Sequence, residues 1–231
     1  MRYIGENPDF TGWSDKTMKI TVFGAEGEIG QKVISYALSR GVFVTACICD
    51  AGILWPRKNL TVIEGAVTCK EKVLEAMLEA DIVISALTGE CLGKKGSDTP
   101  VSDANATIIS AMEQLGKTRL VVLGSVCIHA FGDQQGLLQR LHPKITAILY
   151  AERIRDFVKT GQIVMRSHLN WTLVRVVNFQ AKDNGKGYGV SLDGSRCGMW
   201  VSANNVAHFL YDAAIDTERF NRKMPIVYNK T

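Results

Sequence analysis

Three regularly spaced glycines constrain the fold of this chain more than any other sequence feature. Gly24, Gly27 and Gly30 follow the apolar, β-rich run 18–23 and open the helical pattern of 29–38. Glycine allows a sharp turn and a close approach of backbone to a pyrophosphate, and the N-terminus of the following helix attracts that anion. The pattern predicts a dinucleotide-binding turn; the alternative is a glycine turn kept for tight packing of strand on helix. The residues expected to contact the cofactor here are Gly24, Glu26, Gly27, Glu28, Ile29 and Gly30.

Strand and helix patterns alternate along the rest of the chain, which predicts an α/β Rossmann-type, doubly wound parallel sheet. Predicted strands are 18–23, 42–49, 59–64, 81–87, 119–123 and 171–176, and predicted helices are 29–38, 70–78, 101–115 and 145–158. After these we expect a strand pair near 187–202, a helix at 203–215 and a last strand at 225–228. The chain is thus interpreted as a tail, 1–17, followed by a single domain, 18–231, with a small C-terminal subregion on the substrate side.

Composition narrows the possible partners. The 231 residues are 46% hydrophobic, enough for one large core, and the net charge of +4 comes from scattered basic residues rather than from a patch that would bind nucleic acid. Six cysteines form no C-x-x-C pair, so no metal site is expected. No apolar run reaches the roughly 20 residues needed to span a membrane, and the first 17 residues are not a signal peptide. We expect a cytoplasmic protein, monomer or homodimer, whose partner is a small-molecule substrate.

Two acidic residues bear on the choice between NAD and NADP. Asp50 lies 20 positions after Gly30, where an acid usually accepts hydrogen bonds from the adenine ribose; the alternative is a turn residue. Glu26 lies on the glycine turn, near the expected position of a 2′-phosphate, and would repel it by on the order of 1 kcal/mol if solvated. The alternative for Glu26 is that it points harmlessly into water. These residues favour NAD slightly over NADP.

Several longer segments carry a family resemblance. They are Ile20–Gly27, Val44-Thr45 with Asp50, Ile82–Leu87, Val121–Ser125 and Val190–Gly194 followed by Val201-Ser202, Val206-Ala207 and His208–Leu210. Over about residues 18–228 the chain resembles the NmrA-like type of atypical short-chain dehydrogenase/reductase, and within it the flavin reductase/biliverdin-IXβ reductase group. The chain departs from the family at Glu26, where threonine is usual, at Cys49, where arginine is frequent, and at Ala66, where aspartate is usual. These departures bear on 2′-phosphate recognition and leave the fold unaffected.

Further cofactor contacts are expected where later strands end. Ser85, Ala86 and Leu87 end the fourth predicted strand, where small residues would let the nicotinamide ribose lie close; plain strand packing is the alternative. The resemblance implies that Ser125 bonds the substrate carbonyl or the nicotinamide amide, unless its hydroxyl only satisfies a turn. It also implies that Val177, Asn178 and Phe179 lie beside the nicotinamide, where Phe179 would either flank a flat ring or anchor the loop to the core.

Typical short-chain dehydrogenases use a tyrosine, paired with a lysine four residues later, as the catalytic acid, and this chain has only a candidate for the tyrosine. Tyr150 is the candidate proton donor, but Ile154 stands where a lysine would lower its pKa, so a helix-surface or core tyrosine is the alternative. His129 and Phe131 are weaker candidates for lining the open pocket.

The expected function is NAD(P)H-dependent hydride transfer to a flavin, a quinone or a linear tetrapyrrole, with protonation from water. A non-catalytic dinucleotide-binding redox sensor fits the missing tyrosine–lysine pair equally well. A sugar-nucleotide epimerase or dehydratase fits badly, because that pair is absent and the region after the sixth predicted strand is short.

Overall fold

The computed structural model describes residues 18–49, 56–89, 100–130, 133, 151–179, 182–196 and 198–231. Eight strands are present in these ranges: β1 (Lys19–Phe23), β2 (Phe43–Ile48), β3 (Leu60–Glu64), β4 (Ile82–Ser85), β5 (Arg119–Ser125), β6 (Asn170–Val176), β7 (Tyr188–Ser191) and β8 (Ile226–Asn229). The helices there are α1 (Glu28–Ser39), α2 (Lys70–Met77), α3 (Pro100–Gln114), α4 (Ala151–Arg166), α5 (Ala203–Ile215) and the short α6 (Thr217–Phe220).

The strands form one sheet in the order β3-β2-β1-β4-β5-β6-β8-β7. All neighbouring strands are parallel except β7, which runs antiparallel to β8. The strand order reverses direction beside β1, between β1 and β4. In doubly wound sheets the ligand lies outside the carboxyl ends of the strands at that reversal, so the topology places a ligand site after β1 and β4.

Helices cover both faces of the sheet, as a mostly parallel sheet requires. One core cluster unites α1 and α5 with side chains such as Val22 and Ile84, and the other unites α2, α3 and α4 with side chains such as Val83 and Leu120. The α/β doubly wound prediction is therefore confirmed. Among the described residues, no helix combines the length and apolar character that crossing a membrane would need.

Helix α4 extends further than its sequence pattern predicted. The predicted helix was 145–158, whereas the structure continues it to Arg166, and residues 145–150 lie outside the described ranges. Gly161 stands inside the helix because its missing side chain makes room for Ile128, whose Cγ2 would lie 2.5 Å from an added Cβ. Tertiary packing thus outweighs the low helix propensity of glycine.

The predicted strand pair near 187–202 is wrong. Only β7 forms in the described part of that range, and its partner is β8 rather than a second local strand. Residues 192–196 instead form a turn in which Asp193 accepts hydrogen bonds from the Ser191 hydroxyl (2.8 Å) and from the N–H and hydroxyl of Ser195 (3.0 and 2.7 Å). These bonds lower the pKa of Asp193 to about 2. Asp193 stabilises the turn because aspartate readily bonds nearby backbone N–H groups.

Candidate functional site

The backbone itself closes the turn between β1 and α1. The Gly27 N–H donates to the Gly24 oxygen at 3.1 Å. Gly24 has a φ of +80°, and a Cβ on it would lie 2.7 Å from the carbonyl carbon and oxygen of Ala86, just after β4. A Cβ on Gly30 would lie 2.1 Å from the Gly24 oxygen. Only glycine therefore fits positions 24 and 30, and the ends of β1 and β4 meet the start of α1 in direct backbone contact.

Helix α1 begins at this turn without a cap from any described side chain. Its N-cap is Gly27, whose oxygen accepts the first helical hydrogen bond from the Gln31 N–H at 3.0 Å. Helix geometry leaves the N–H groups of Glu28, Ile29 and Gly30 without an acceptor inside the helix. Together with the positive end of the helix dipole, these donors form a place where a diphosphate can bind.

Glu26 connects the glycine turn to the end of β2. Its Oε1 accepts a hydrogen bond from the Cys49 N–H at 2.6 Å, and the residue is half-buried. The Glu26 carboxylate is thus held at the end of β2 by a backbone hydrogen bond instead of pointing only into water. Asp50, the acid predicted to bond the adenine ribose at this end of β2, lies outside the described residues.

A small, shallow cleft opens beside Glu26. Its lining comes from the carboxyl ends of the first four strands and the segments after them: Gly24, Glu26, Cys47, Cys49, Gly65, Val67 and Leu87. The Cys47 thiol donates weakly to the Gly65 oxygen at 3.6 Å, and burial, aided by the nearby Glu26 carboxylate, raises its pKa to about 12. Cys47 is therefore a neutral packing residue. No group of three or more potential metal ligands occurs among the described residues.

The end of β4 contributes mainly backbone atoms, rather than side chains, to the candidate site. The Ala86 N–H donates to the Phe23 oxygen at 2.9 Å, and Leu87 lines the cleft. Ser85, whose role was predicted to be cofactor binding, is fully buried, and its hydroxyl has no hydrogen-bond partner among the described residues. The structure thus encloses Ser85 in the sheet and brings Ala86 and Leu87 to the edge.

Ser125 lies at the same edge of the sheet, at the end of β5 and in register with Val176 of β6. It is half-buried, and its hydroxyl oxygen accepts a hydrogen bond from the Cys127 N–H at 3.3 Å. The hydroxyl of Ser125 therefore bonds a backbone group of the turn, as one of the two predicted alternatives had it. This bond leaves the hydroxyl proton of Ser125 available as a donor.

The segment after β6 is held by the C-terminal part of the chain. The Asn178 oxygen accepts a hydrogen bond from the Val201 N–H at 2.8 Å. Val177 and Asn178 are half-buried, and Phe179 packs partly against the core. The anchoring role predicted as one alternative for Phe179 is thus observed, while part of its ring remains accessible.

The second half of a tyrosine–lysine pair is missing from α4. Tyr150 and Phe131 lie outside the described residues, and His129 is exposed. Ile154, at the position of the usual lysine, is a half-buried aliphatic residue on α4. No cation therefore stands at that helical position to lower the pKa of a tyrosine.

A buried ion pair beneath the site was not predicted. Arg175 of β6 is 1% exposed, and its two terminal nitrogens donate to the Asp133 carboxylate at 2.5 and 2.9 Å. The same guanidinium donates to the oxygens of Ile128 (3.0 Å) and Met224 (2.8 Å). Burial acts to raise the pKa of Asp133, but the hydrogen bonds from Arg175 and from the Ala130 N–H outweigh it and hold that pKa below its usual value. The available signal was an arginine inside the apolar run of β6, since a buried cation requires a partner.

Comparison with known proteins agrees with this geometry. A family model described as NAD(P)H-binding matches residues 24–217. The chain belongs to this NAD(P)H-binding family, and the solved structures that share its fold include short-chain dehydrogenase/reductases and a Rossmann-fold NAD(P)-binding protein.

Two solved structures illustrate the likeness of fold. A short-chain dehydrogenase/reductase from Veillonella parvula DSM 2008, in complex with NADP, has a TM-score of 0.72 at 19% identity and covers 92% of this chain and 94% of its own. The anaerobillin reductase ChuY from Escherichia coli O157:H7 has a TM-score of 0.74 at 18% identity and covers 91% of this chain and 97% of its own.

One curated relative is more similar in sequence. The chloroplastic divinyl chlorophyllide a 8-vinyl-reductase of Cucumis sativus is 27% identical over 234 residues, which cover 94% of this chain and 54% of the relative. The chain thus spans about half the length of that relative.

Proposed function

We propose that this protein is an NAD(P)H-dependent reductase that transfers a hydride to a flat, conjugated acceptor. The observation that carries the proposal is the closed glycine turn, in which positions 24 and 30 admit no side chain and the first three N–H groups of α1 have no acceptor within the helix. Such a turn offers backbone donors to a diphosphate at the point where the sheet order reverses. The nicotinamide would then lie along the carboxyl edge, toward Ser125 and residues 177–179.

The position of Glu26 supports a preference for NADH over NADPH. The adenine ribose of a dinucleotide binds at the end of the second strand in this kind of fold. The Glu26 carboxylate lies there, bonded to the Cys49 N–H at 2.6 Å. It can accept a hydrogen bond from a ribose hydroxyl and would repel a 2′-phosphate, and no arginine occupies position 49 to compensate.

The class of hydride acceptor is inferred from the missing lysine at position 154 and from the names of two relatives. Without a lysine at position 154, acid catalysis by a tyrosine is disfavoured, so carbonyl reduction is a poor candidate. Hydride transfer to a conjugated ring needs alignment over the nicotinamide, and water can supply the proton. Two of the relatives are named as reductases of a chlorophyllide and of anaerobillin, which favours a flavin, a quinone or a tetrapyrrole.

The test begins with calorimetric titration of NADH and NADPH into the protein. Oxidation of the bound cofactor is then followed at 340 nm after addition of FMN, menadione or biliverdin. Binding together with turnover of at least one acceptor supports the proposal. Tight binding without turnover of any acceptor would instead establish a dinucleotide sensor, and failure to bind either cofactor would overturn both.

Cofactor preference gives the first prediction. Replacing Glu26 with threonine, the usual residue of the family, removes repulsion of on the order of 1 kcal/mol, so NADPH should bind about fivefold more tightly relative to NADH. The control is Glu79→Thr, which removes the same charge from an exposed carboxylate paired with Lys19 at the opposite edge of the sheet. Calorimetry on both variants measures the ratio, and an unchanged ratio in Glu26→Thr would contradict the assignment of Glu26.

A further inference from the structure

Two large apolar side chains stand exposed beside the proposed site. Met199 and Trp200, here called the ledge, are 47% and 49% exposed. Leu192, eight residues before Trp200, is similarly exposed. The other exposed large hydrophobics of the described residues, Phe43, Leu78 and Met165, lie on separate elements or at their ends. Exposed apolar side chains concentrated in one segment indicate a surface that something covers.

The sheet topology places the ledge at the carboxyl edge. Ile226 of β8 is in register with Arg175, near the end of β6, so β8 continues past the end of β6 as far as Asn229. The Val201 N–H, directly after the ledge, donates to the Asn178 oxygen at 2.8 Å. The ledge therefore adjoins the segment after β6, beside which the nicotinamide is proposed to lie.

The backbone after the ledge is held by hydrogen bonds, and Gly198 just before it packs against β8. Gly198 lies against β8, because a Cβ on it would be 3.2 Å from the Cβ of Tyr228. Val201 is 1% exposed. The Ser202 N–H donates to the Asn229 side chain at 3.0 Å, and the Ser202 hydroxyl caps α5 by accepting from the Asn205 N–H at 3.1 Å. Two exposed apolar side chains on an anchored backbone are pre-organised to bind, since little main-chain entropy remains to be lost.

We propose that the ledge is the binding face for the planar hydride acceptor, with the indole of Trp200 stacked on the acceptor ring and the Met199 thioether in contact with its edge. An indole offers a flat π surface for a conjugated ring, and a thioether adapts to aromatic edges. The inference rests on the proposed function. In the reaction NADH gives a hydride, with its two electrons, to the acceptor; NAD+ is formed, and the reduced acceptor takes one proton from water.

Binding of FMN to the NAD+-loaded protein, measured by calorimetry and by quenching of tryptophan emission, tests the ledge without turnover. Trp200→Ala should weaken FMN binding at least tenfold and raise the KM for FMN similarly, while the Kd for NADH stays within about twofold of wild type. Trp200→Phe should retain most of the affinity, because it keeps an aromatic face. Leu78→Ser is the matched control, since it removes an exposed apolar side chain (59% exposed) at the end of α2.

The outcomes separate the inference from the proposed function. If the wild type reduces FMN and Trp200→Ala does so with an unchanged KM, the ledge is not the acceptor face although the function stands. If the wild type binds NADH but neither binds nor reduces FMN, menadione or biliverdin, both fail. If sedimentation shows a wild-type dimer that Trp200→Ala dissociates, a second copy of the chain covers the ledge and the inference is overturned.

Discussion

At the scale of single residues, the site depends on the absence of side chains as much as on their presence. Gly24 and Gly30 occupy positions where any Cβ would overlap backbone atoms of neighbouring segments. Backbone cannot move aside as the end of a flexible side chain can. Substitution at these positions should therefore affect both folding and cofactor binding.

The corresponding prediction concerns Gly30→Ala. The new Cβ would lie 2.1 Å from the Gly24 oxygen, so α1 must move away from the turn. We expect a loss of about 1–3 kcal/mol in the free energy of unfolding, and NADH affinity reduced at least tenfold. Urea unfolding and calorimetric titration measure these quantities. Gly89→Ala is the control, because no described residue lies within 4 Å of its added Cβ, and wild-type affinity in Gly30→Ala would contradict the proposed turn.

At the scale of elements, α1 and α5 pack through an aromatic contact on the far side of the phosphate turn. The Tyr36 ring of α1 stacks on His208 of α5 with centroids 4.0 Å apart, and Tyr211 meets it edge-on at 5.2 Å. Burial lowers the pKa of His208, and Arg40 and Lys32 act in the same direction, whereas the carboxylates of Asp212 and Asp183 act to raise it. The contact therefore favours neutral imidazole.

This helix pairing predicts a pH dependence of stability. The unfolded chain takes up a proton at His208 near pH 6.5, but the folded chain does so only at lower pH. The contribution of His208 is therefore fully present above about pH 6.5 and is lost as the pH falls below that value and through the lower pKa of the folded state. Between pH 7.5 and 5.5 the wild type should lose more unfolding free energy than His208→Phe, which keeps an aromatic ring on Tyr36.

Urea unfolding across that pH range measures the difference. His168→Phe removes an exposed imidazole next to the end of α4 and should retain the wild-type dependence. Parallel pH profiles for wild type and His208→Phe would show that the stacked histidine does not contribute.

At the scale of the whole molecule, two buried arginines connect segments far apart in sequence. Arg119, at the amino edge of the sheet, donates to the oxygens of Asn170 (2.8 Å) and Ala214 (3.2 Å), and burial lowers its pKa to about 10. Arg175, at the carboxyl edge, joins the segment after β5 to the segment before β8 through Asp133 and the Met224 oxygen. These hydrogen bonds therefore connect the central strands that carry the site to the C-terminal part of the chain.

Replacing Asp133 with asparagine tests the contribution of the buried Arg175–Asp133 ion pair to stability. The change leaves the Arg175 cation buried without a carboxylate, which should cost about 3 kcal/mol of unfolding free energy. The matched control is Asp103→Asn, which breaks an exposed ion pair with Lys159 and should cost less than about 1 kcal/mol. Thermal and urea unfolding of both variants measure the contrast, and equal small losses would show that the buried pair is not structurally important.

The sequence by itself determined the alternation of strands and helices and the glycine turn. Periodicity is local, and the bounds of β1, α2 and α5 follow from it within a residue or two. It also pointed to Glu26 as unusual.

Tertiary structure decided what depends on contacts between distant segments. It paired Glu26 with Cys49, Arg175 with Asp133, and β7 with β8 instead of with residues near 200. No periodicity in the chain encodes such pairs, because each depends on which segments the completed sheet brings together. The physical reason is that buried charges and strand edges are satisfied by whichever partner lies nearby in space, not by the nearest one in sequence.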